Sequence, residues 1–383
     1  MATTCEIAAN GVVTLVGAIL ERACEQAASD VHFEPADNGL LVRFRLDGLL
    51  HDVERLPAAL AANVIARLKV LAGLLTYRID IPQEGAVTAA AFGAELRVAT
   101  FPTIRGERAV VRIHAGHRAV AQLDELGLTA GTVERLQHAA EQPNGMILLT
   151  GPAGTGKSTT LYAIARHILT ATPGRSVVAL EDPVEQRVDG MTQIQITPHG
   201  ELDYPRAMRS LLRQDPQVLL IGEVRDAETA SIAVEAALTG HLLLTTMHSG
   251  DPAEAVVRLL EMGIPAYQLV SALGIVCTQR LLRTLCGTCC QATGREAEPF
   301  VHVGCTDCHE TGYAGRTAIE EALVLDEAVR EAVVAHATAG HLRSLGRRQA
   351  SSLLANAARQ VRDGHTDAAE VRRVVGHDPQ EGA

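Results

Sequence analysis

Gly151-Pro152-Ala153-Gly154-Thr155-Gly156-Lys157-Ser158, continued by Thr159, lies between an apolar run at residues 146–150 and a stretch with helical spacing at residues 159–169. The pattern is G-x-x-x-x-G-K-S in a strand–loop–helix context. Its glycines allow consecutive backbone N–H groups to wrap an anion at the start of a helix. In that geometry Lys157 reaches the β- and γ-phosphates of a nucleotide, and the Ser158 hydroxyl ligates Mg2+. Residues 151–159 are therefore the candidate nucleotide-binding residues. Lys157 is one of two lysines among 34 basic residues, the other being Lys69. A chain that uses arginine almost everywhere keeps lysine where a compact ammonium fits and a planar fork does not.

Outward from this loop, residues 177–180, 218–221 and 242–245 repeat the short apolar run and alternate with helical stretches. Such alternation predicts an α/β unit, a parallel sheet with helices on both faces. The run at 218–221 ends in Gly222-Glu223, with glycine at the step where an aspartate commonly supports magnesium. Glu223 is placed to orient or deprotonate an attacking water. Taken alone, it would be a solvated carboxylate at a strand end. Glu181-Asp182-Pro183-Val184-Glu185 follows another of these runs. Its carboxylates repel one another unless a cation or an arginine lies close. The Mg2+ of a bound nucleotide would serve, and an exposed acidic loop is the alternative.

Before residue 117 the pattern differs. A helix at 12–28, strands at 29–33, 40–46 and 49–53 with a turn at Asp47-Gly48, a helix at 57–74, and strands at 87–98 and 109–113 flanking a loop at 102–107 read as a small α+β domain. Residues 118–144 read as a linker, 145–280 as the nucleotide-binding core, 281–317 as an irregular insert and 318–383 as a helical tail broken at Gly340, Gly346 and Gly364.

The insert holds Cys286/Cys289 and Cys305/Cys308, two C-x-x-C pairs separated by fifteen residues. That spacing predicts a closed, four-sulfur, structural Zn2+ site. A redox dithiol would want a thioredoxin-like βαβ context, which is absent here. Cys290 is an extra thiol that either substitutes for a ligand or stands idle, and Cys5, Cys24 and Cys277 lie in apolar stretches as inert thiols.

Taken together, the motifs resemble those of the secretion ATPases that power type II secretion and type IV pilus assembly. Residues 181–185 resemble that family's aspartate box, and Thr245-Thr246-Met247-His248 its histidine box. Residues 212–216, 222–226 and 237–241 match it closely, Ser29-Asp30-Val31-His32 and Arg43-Phe44-Arg45-Leu46-Asp47-Gly48 resemble its preceding domain, and Arg280-Leu281-Leu282 leading to Cys286 resembles its zinc insert. The resemblance implies a RecA-like P-loop motor behind a small PAS-like domain, working as a Mg2+-dependent, ATP-hydrolysing homo-hexamer. It implies residence on the cytoplasmic face of a membrane, with contact through an inner-membrane platform protein. It also implies catalytic roles for Lys157, Glu223 and Glu185, leaving open which carboxylate activates water. His248 would sense or relay the γ-phosphate, and Arg97 and Arg112 would lie against the nucleotide. There are departures. The chain starts at what the family has as its second domain, the loop at 78–86 is less basic, and Ser-Gly-Asp follows His248 where Thr-Asn-Asp is commoner.

Composition bounds the alternatives. The 383 residues fit two or three domains, and 47% hydrophobic with 21% charged is a globular balance. A net charge of −11 argues against coating nucleic acid or adhering to anionic lipid. With no Trp and 3% aromatics, a ring motor on nucleic acid would lack stacking platforms. A nucleotide-binding scaffold without turnover is the remaining competitor. The uncharged stretches at 7–20 and 262–279 are too short or too polar to span a bilayer, and no basic leader precedes the first, so a cytoplasmic location is expected.

Overall fold

In the computed structural model, which describes residues 2–87, 92–114, 122–196 and 203–378, the chain divides into two units, Met1–Arg118 and Ala119–Ala383. The first contains α1 (Ala2–Glu25), β1 (Asp30–Ala36), β2 (Gly39–Leu46), β3 (Leu49–Leu56), α2 (Ala58–Leu71), β4 (Gln83–Val87), β5 (Glu95–Thr103) and β6 (Gly106–His114). Asp47 and Gly48 both take positive φ, the requirement of a two-residue turn that matches strand twist. The six strands form one antiparallel sheet in the order β3-β2-β1-β6-β5-β4. Strand periodicity puts Val31, Phe33, Val42, Phe44, Leu96, Val98 and Val111 into one core with Val16, Ile19, Leu20, Val64 and Leu68 of the helices. The same periodicity sends Asp30, His32, Arg43, Arg45, Arg97 and Arg112 to the other face.

Two sequence expectations change here. Residues 87–98 are not a single strand: Val87 ends β4 and pairs with Leu96 of β5, while 88–91 lie outside the described residues. Pro102, expected in a loop, belongs to β5 opposite Glu107. Pairing with β4 stops at Thr100, so the missing N–H of Pro102 faces no strand.

The second unit contains α3 (Ala130–Glu141), β7 (Gly145–Thr150), α4 (Lys157–Ala171), β8 (Val177–Glu181), β9 (Thr192–Gln195), α5 (Tyr204–Leu211), β10 (Val218–Ile221), α6 (Ala227–Leu238), β11 (Leu242–Met247), α7 (Pro252–Glu261), α8 (Ala266–Ala272), β12 (Leu273–Leu285), β13 (Gln291–Arg295), β14 (Glu298–Val301), β15 (Tyr313–Val324), α9 (Glu327–Val334), α10 (Ala339–Gln349), α11 (Leu353–Arg362) and α12 (Ala368–Val375). Seven strands form a sheet in the order β15-β12-β7-β11-β10-β8-β9, parallel throughout except for the β12–β15 pair. Alternate residues of β7 serve two cores: Met146 and Leu148 pack on one face with α6 and α7, Ile147 and Leu149 on the other with α4. A parallel sheet covered on both faces needs apolar residues at every position, which is what residues 146–149 supply.

The tail is helical only from Glu327. Residues 318–324, expected as helix, are the second half of β15, where they pair with Cys277–Leu281 and their neighbours on β12. Ala and Glu favour a helix locally, but the open edge of β12 decides the conformation. Gly340 and Gly346 lie inside α10 instead of breaking it, and a Cβ on Gly346 would stand 3.2 Å from Leu323 Cδ1, so close packing accounts for that glycine. Asp326, Thr338, Ser352 and Asp367 cap α9 to α12 with their side chains. Among the described residues no helix is long and apolar enough to cross a membrane.

Candidate functional site

The loop between β7 and α4 is pressed against β12. Gly151 (φ 142°) could not carry a side chain, because a Cβ there would lie 2.6 Å from the Gln279 carbonyl oxygen, and at Gly156 (φ 86°) it would lie 2.9 Å from Gln279 Nε2. Thr160 Oγ1 donates to Gln279 Oε1 at 2.8 Å, and Thr155 Oγ1 to the Pro152 carbonyl at 3.0 Å. The loop leads directly into α4, whose first residue is Lys157. Lys157 Nζ donates to the carbonyls of Gly151 at 2.7 Å and Pro152 at 2.8 Å. Burial lowers the Lys157 pKa and the Arg280 charge adds to the effect, while Glu223 and Glu185 oppose it. Ser158 is half-buried one residue on.

Two strand ends meet this loop. His248 follows β11, with Nδ1 3.1 Å from the Gly151 carbonyl and Nε2 2.9 Å from Glu223 Oε1. Glu223 follows β10, and its other oxygen accepts from Arg225 Nε at 2.9 Å. Gly222 is small for a packing reason: a Cβ would stand 2.9 Å from the Tyr204 hydroxyl. Thr246 Oγ1 ties the Gly222 carbonyl to β11 at 2.8 Å. The acidic run divides. Glu181 turns into the core, where burial raises its pKa, and it accepts hydrogen bonds from the Tyr162 hydroxyl and from Gln193 Nε2 at 3.0 Å. Glu185 is exposed. The cation that the run demanded is thus not needed at Glu181, whose charge is met by a phenol and an amide.

Several participants went unread in the sequence. Gln279 and Arg280 of β12 border the loop, with Arg280 Nη2 donating to the Gly250 carbonyl at 3.1 Å, and Arg258 Nη1 holds the His248 carbonyl at 2.7 Å. A polar Gln-Arg pair inside an apolar strand was the available signal. His241 caps α6, its Nδ1 3.0 Å from the Ala236 carbonyl. In the N-terminal unit Arg97 and Arg112 are direct cross-strand partners. Arg112 Nε stands 3.1 Å from Asp30 Oδ1, and Arg97 Nε 3.8 Å from Glu95 Oε1. Lys69 is fully buried, paired with Glu107 and donating to the Arg78 carbonyl at 2.8 Å.

The four cysteines converge where β12 ends and β15 begins. All four sulfurs lie within 4.8 Å of one another, with Cys286–Cys305 at 4.0 Å, Cys289–Cys308 at 3.7 Å and Cys305–Cys308 at 3.7 Å. A tetrahedron with Zn–S bonds of about 2.3 Å has edges of roughly 3.8 Å, so the sulfurs fit that ion. Burial disfavours the Cys308 thiolate, but N–H groups of Cys305 and Gly312, each 3.2 Å from Sγ, outweigh it and draw the thiol down to about 7. Cys290 is not part of the cluster. Cys277 is fully buried, which pushes its thiol up, Cys24 is half-buried, and Cys5 lies outside the residues whose side chains are described.

The family model described as "Type II/IV secretion system protein" matches residues 7–373. The putative type II secretion system protein E of Escherichia coli (strain K12) is 40% identical over 97% of this chain and 78% of its own length. The type IV pilus assembly ATPase PilB of Thermus thermophilus is 38% identical over 88% of this chain, which spans 40% of that longer protein. Among solved structures, the Legionella pneumophila ATPase DotB aligns with a TM-score of 0.70 at 23% identity, covering 93% of each chain. The pilus retraction motor PilT with bound ADP aligns at 0.66 and 22% identity, over 95% of this chain and 97% of its own. The fold is therefore shared with those ATPases, and on the match across residues 7–373 the chain belongs to the type II/IV secretion system protein family.

Proposed function

We propose that this chain is a Mg2+-dependent ATP hydrolase that powers protein secretion or type IV pilus assembly. The observation that carries the proposal is that Lys157 and His248 both reach the Gly151 carbonyl at a glycine loop opening a helix, with Glu223 held on the far nitrogen of His248. Residues 151–159 would hold the phosphates through backbone N–H groups and the Lys157 ammonium. Ser158 would hold Mg2+, which when bound neutralises charge on the β- and γ-phosphates. Water attacks the γ-phosphorus in line, the bond to the β,γ-bridging oxygen breaks, and the proton of the water is taken up by a carboxylate. Glu223 is the favoured acceptor, because Arg225 and His248 fix both of its oxygens, with Glu185 as the second carboxylate.

The division of labour follows the sequence reading. Residues 1–117 act as a PAS-like domain, for which the antiparallel sheet with two helices is the support, joined by 118–144 to a RecA-like core at 145–280. A zinc-bound insert at 281–317 and the C-terminal region at 318–383 complete the chain, with Cys286, Cys289, Cys305 and Cys308 as Zn2+ ligands. Arg97 and Arg112 would add positive charge against the γ-phosphoryl oxygens in a closed homo-hexamer. Membrane contact would come through an inner-membrane platform protein.

A phosphate-release assay on the full chain, with and without single-stranded DNA, together with a solution mass, tests the proposal. Turnover indifferent to DNA, in a species of six chains, is expected. Lys157→Ala should fall below about a tenth of the wild-type rate, since transition-state contacts appear directly in turnover. DNA-stimulated turnover would point to a nucleic-acid motor, and nucleotide binding without turnover to a scaffold.

A further inference from the structure

The segment from Asp182 to Met191, between β8 and β9, carries Glu185 and contains no helix or strand of its own. Side chains hold it instead. Gln193 on β9 donates to the Gln186 carbonyl at 2.8 Å and accepts from the Val188 N–H at 2.8 Å, while its amide also reaches Glu181. Tyr162, five residues after Lys157 on α4, supplies the remaining link. Its hydroxyl donates to Glu181 and accepts from the Glu185 N–H at 3.3 Å.

That hydroxyl is expensive where it stands. Tyr162 is 2% exposed, and its helix neighbours Leu161, Ala163, Ile164 and Ala165 are buried apolar residues, so phenylalanine would suit the packing as well. A buried phenol is retained when its oxygen has partners to serve. Here the single O–H is committed to the Glu181 carboxylate, which leaves the oxygen lone pairs directed at the Glu185 N–H. Glu181 therefore orients the phenol, and the phenol anchors the backbone of Glu185 to α4. Because Lys157 and Tyr162 share one helix, the anchor refers Glu185 to the same rigid element that presents the phosphate-binding lysine.

We propose that Tyr162 is a positioning residue for hydrolysis: its hydroxyl fixes the Glu185 backbone, and with it the Glu185 carboxylate, relative to Lys157. The proposal rests on the ATPase function proposed above. It differs from a packing role in one consequence, namely that the hydroxyl should matter only while Glu185 has a carboxylate to place.

The test is a double-mutant cycle on the full chain, with Tyr162→Phe, Glu185→Gln and the double variant compared in kcat, KM for ATP, ADP affinity and melting temperature. A misplacement of about 1 Å within a catalytic site costs on the order of 100-fold in rate. Tyr162→Phe should therefore lower kcat by at least about tenfold, with KM, ADP affinity and melting temperature nearly unchanged. In the Glu185→Gln background the same substitution should have no further effect on kcat. Hydrogen exchange supplies a second readout, with loss of protection in Tyr162→Phe confined to the Asp182–Val188 amides and β8 unaffected. A wild-type kcat for Tyr162→Phe, or equal losses in both backgrounds, overturns the proposal. Failure of the ATPase function itself looks different, because the wild-type chain would then show no phosphate release that Lys157→Ala removes.

Discussion

His248 stands between Glu223 and the first residue of the phosphate loop, with Nε2 2.9 Å from Glu223 Oε1 and Nδ1 3.1 Å from the Gly151 carbonyl. Both neighbours are acceptors, so both contacts are hydrogen bonds only when each ring nitrogen carries a proton. The imidazole thereby joins the tip of β10 to the loop after β7, two strands separated in the sheet by β11.

Glu223→Gln keeps the size of the side chain and removes the charge. The variant should bind ATP and Mg2+ normally and hydrolyse more slowly by about 10²–10⁴, the usual worth of a positioned general base. Equilibrium binding of a fluorescent nucleotide beside phosphate release separates the two effects. A matching loss of affinity would assign Glu223 to metal binding and leave Glu185 to activate the water.

Arg97→Ala and Arg112→Ala should each reduce turnover heavily, toward the 10³–10⁵ that an arginine finger contributes, while ADP affinity barely changes. Arg112→Ala also removes one of the two arginines paired with Asp30, so the melting temperature of each variant belongs beside its rate. If each domain closes over its own motor, mixing either variant with Lys157→Ala subunits restores nothing. Rescue in such mixtures would show the arginines acting across a subunit boundary.

Protein purified under reducing conditions should contain one zinc per chain by elemental analysis. Structural sites bind zinc by roughly 10–16 kcal/mol, so a chelator or Cys305→Ser should loosen the region from Cys286 to Tyr313 and leave the N-terminal unit folded. Limited proteolysis with and without chelator reads this directly. A metal-free protein with the same proteolytic pattern would remove the ion from the fold.

Glu370 of α12 is buried, which by itself would raise its pKa, but hydrogen bonds from Arg373 and Arg283 outweigh burial and hold it below the ordinary value. A carboxylate with a lowered folded-state pKa contributes stability that is complete above the unfolded value of about 4.3 and is lost as pH falls through the folded value. Denaturation midpoints measured from pH 7 down to pH 3 should therefore drop in the acid range. Glu370→Gln should destabilise by about 3–5 kcal/mol at pH 7, since it leaves a buried guanidinium unpaired, and should flatten the acid limb. Parallel curves for both proteins would deny Glu370 this part.

Residues 146–159 carry their structure in their own sequence, because an apolar run, a glycine loop and a helix are local events governed by backbone sterics and by the hydrogen bonds an anion needs. The cysteine spacing was equally legible, since two tight C-x-x-C turns constrain their own sulfurs. Residues 318–324 were not, because their helical composition yields to the unpaired edge of β12, a partner more than thirty positions away. Nor could the run Glu181–Glu185 say which carboxylate faces water. Glu181 turns inward because β8 ends with its side chain against Tyr162 of α4, and Glu185 turns outward because the chain has left the sheet by then. Chain-local chemistry thus chose the glycine loop and the four-cysteine cluster, while the sheet order, by bringing β10, β11 and β12 beside β7, brought Glu223, His248, Gln279 and Arg280 to that loop. Those contacts join residues up to 129 positions apart, a separation that only hydrophobic packing of the two sheet faces can close.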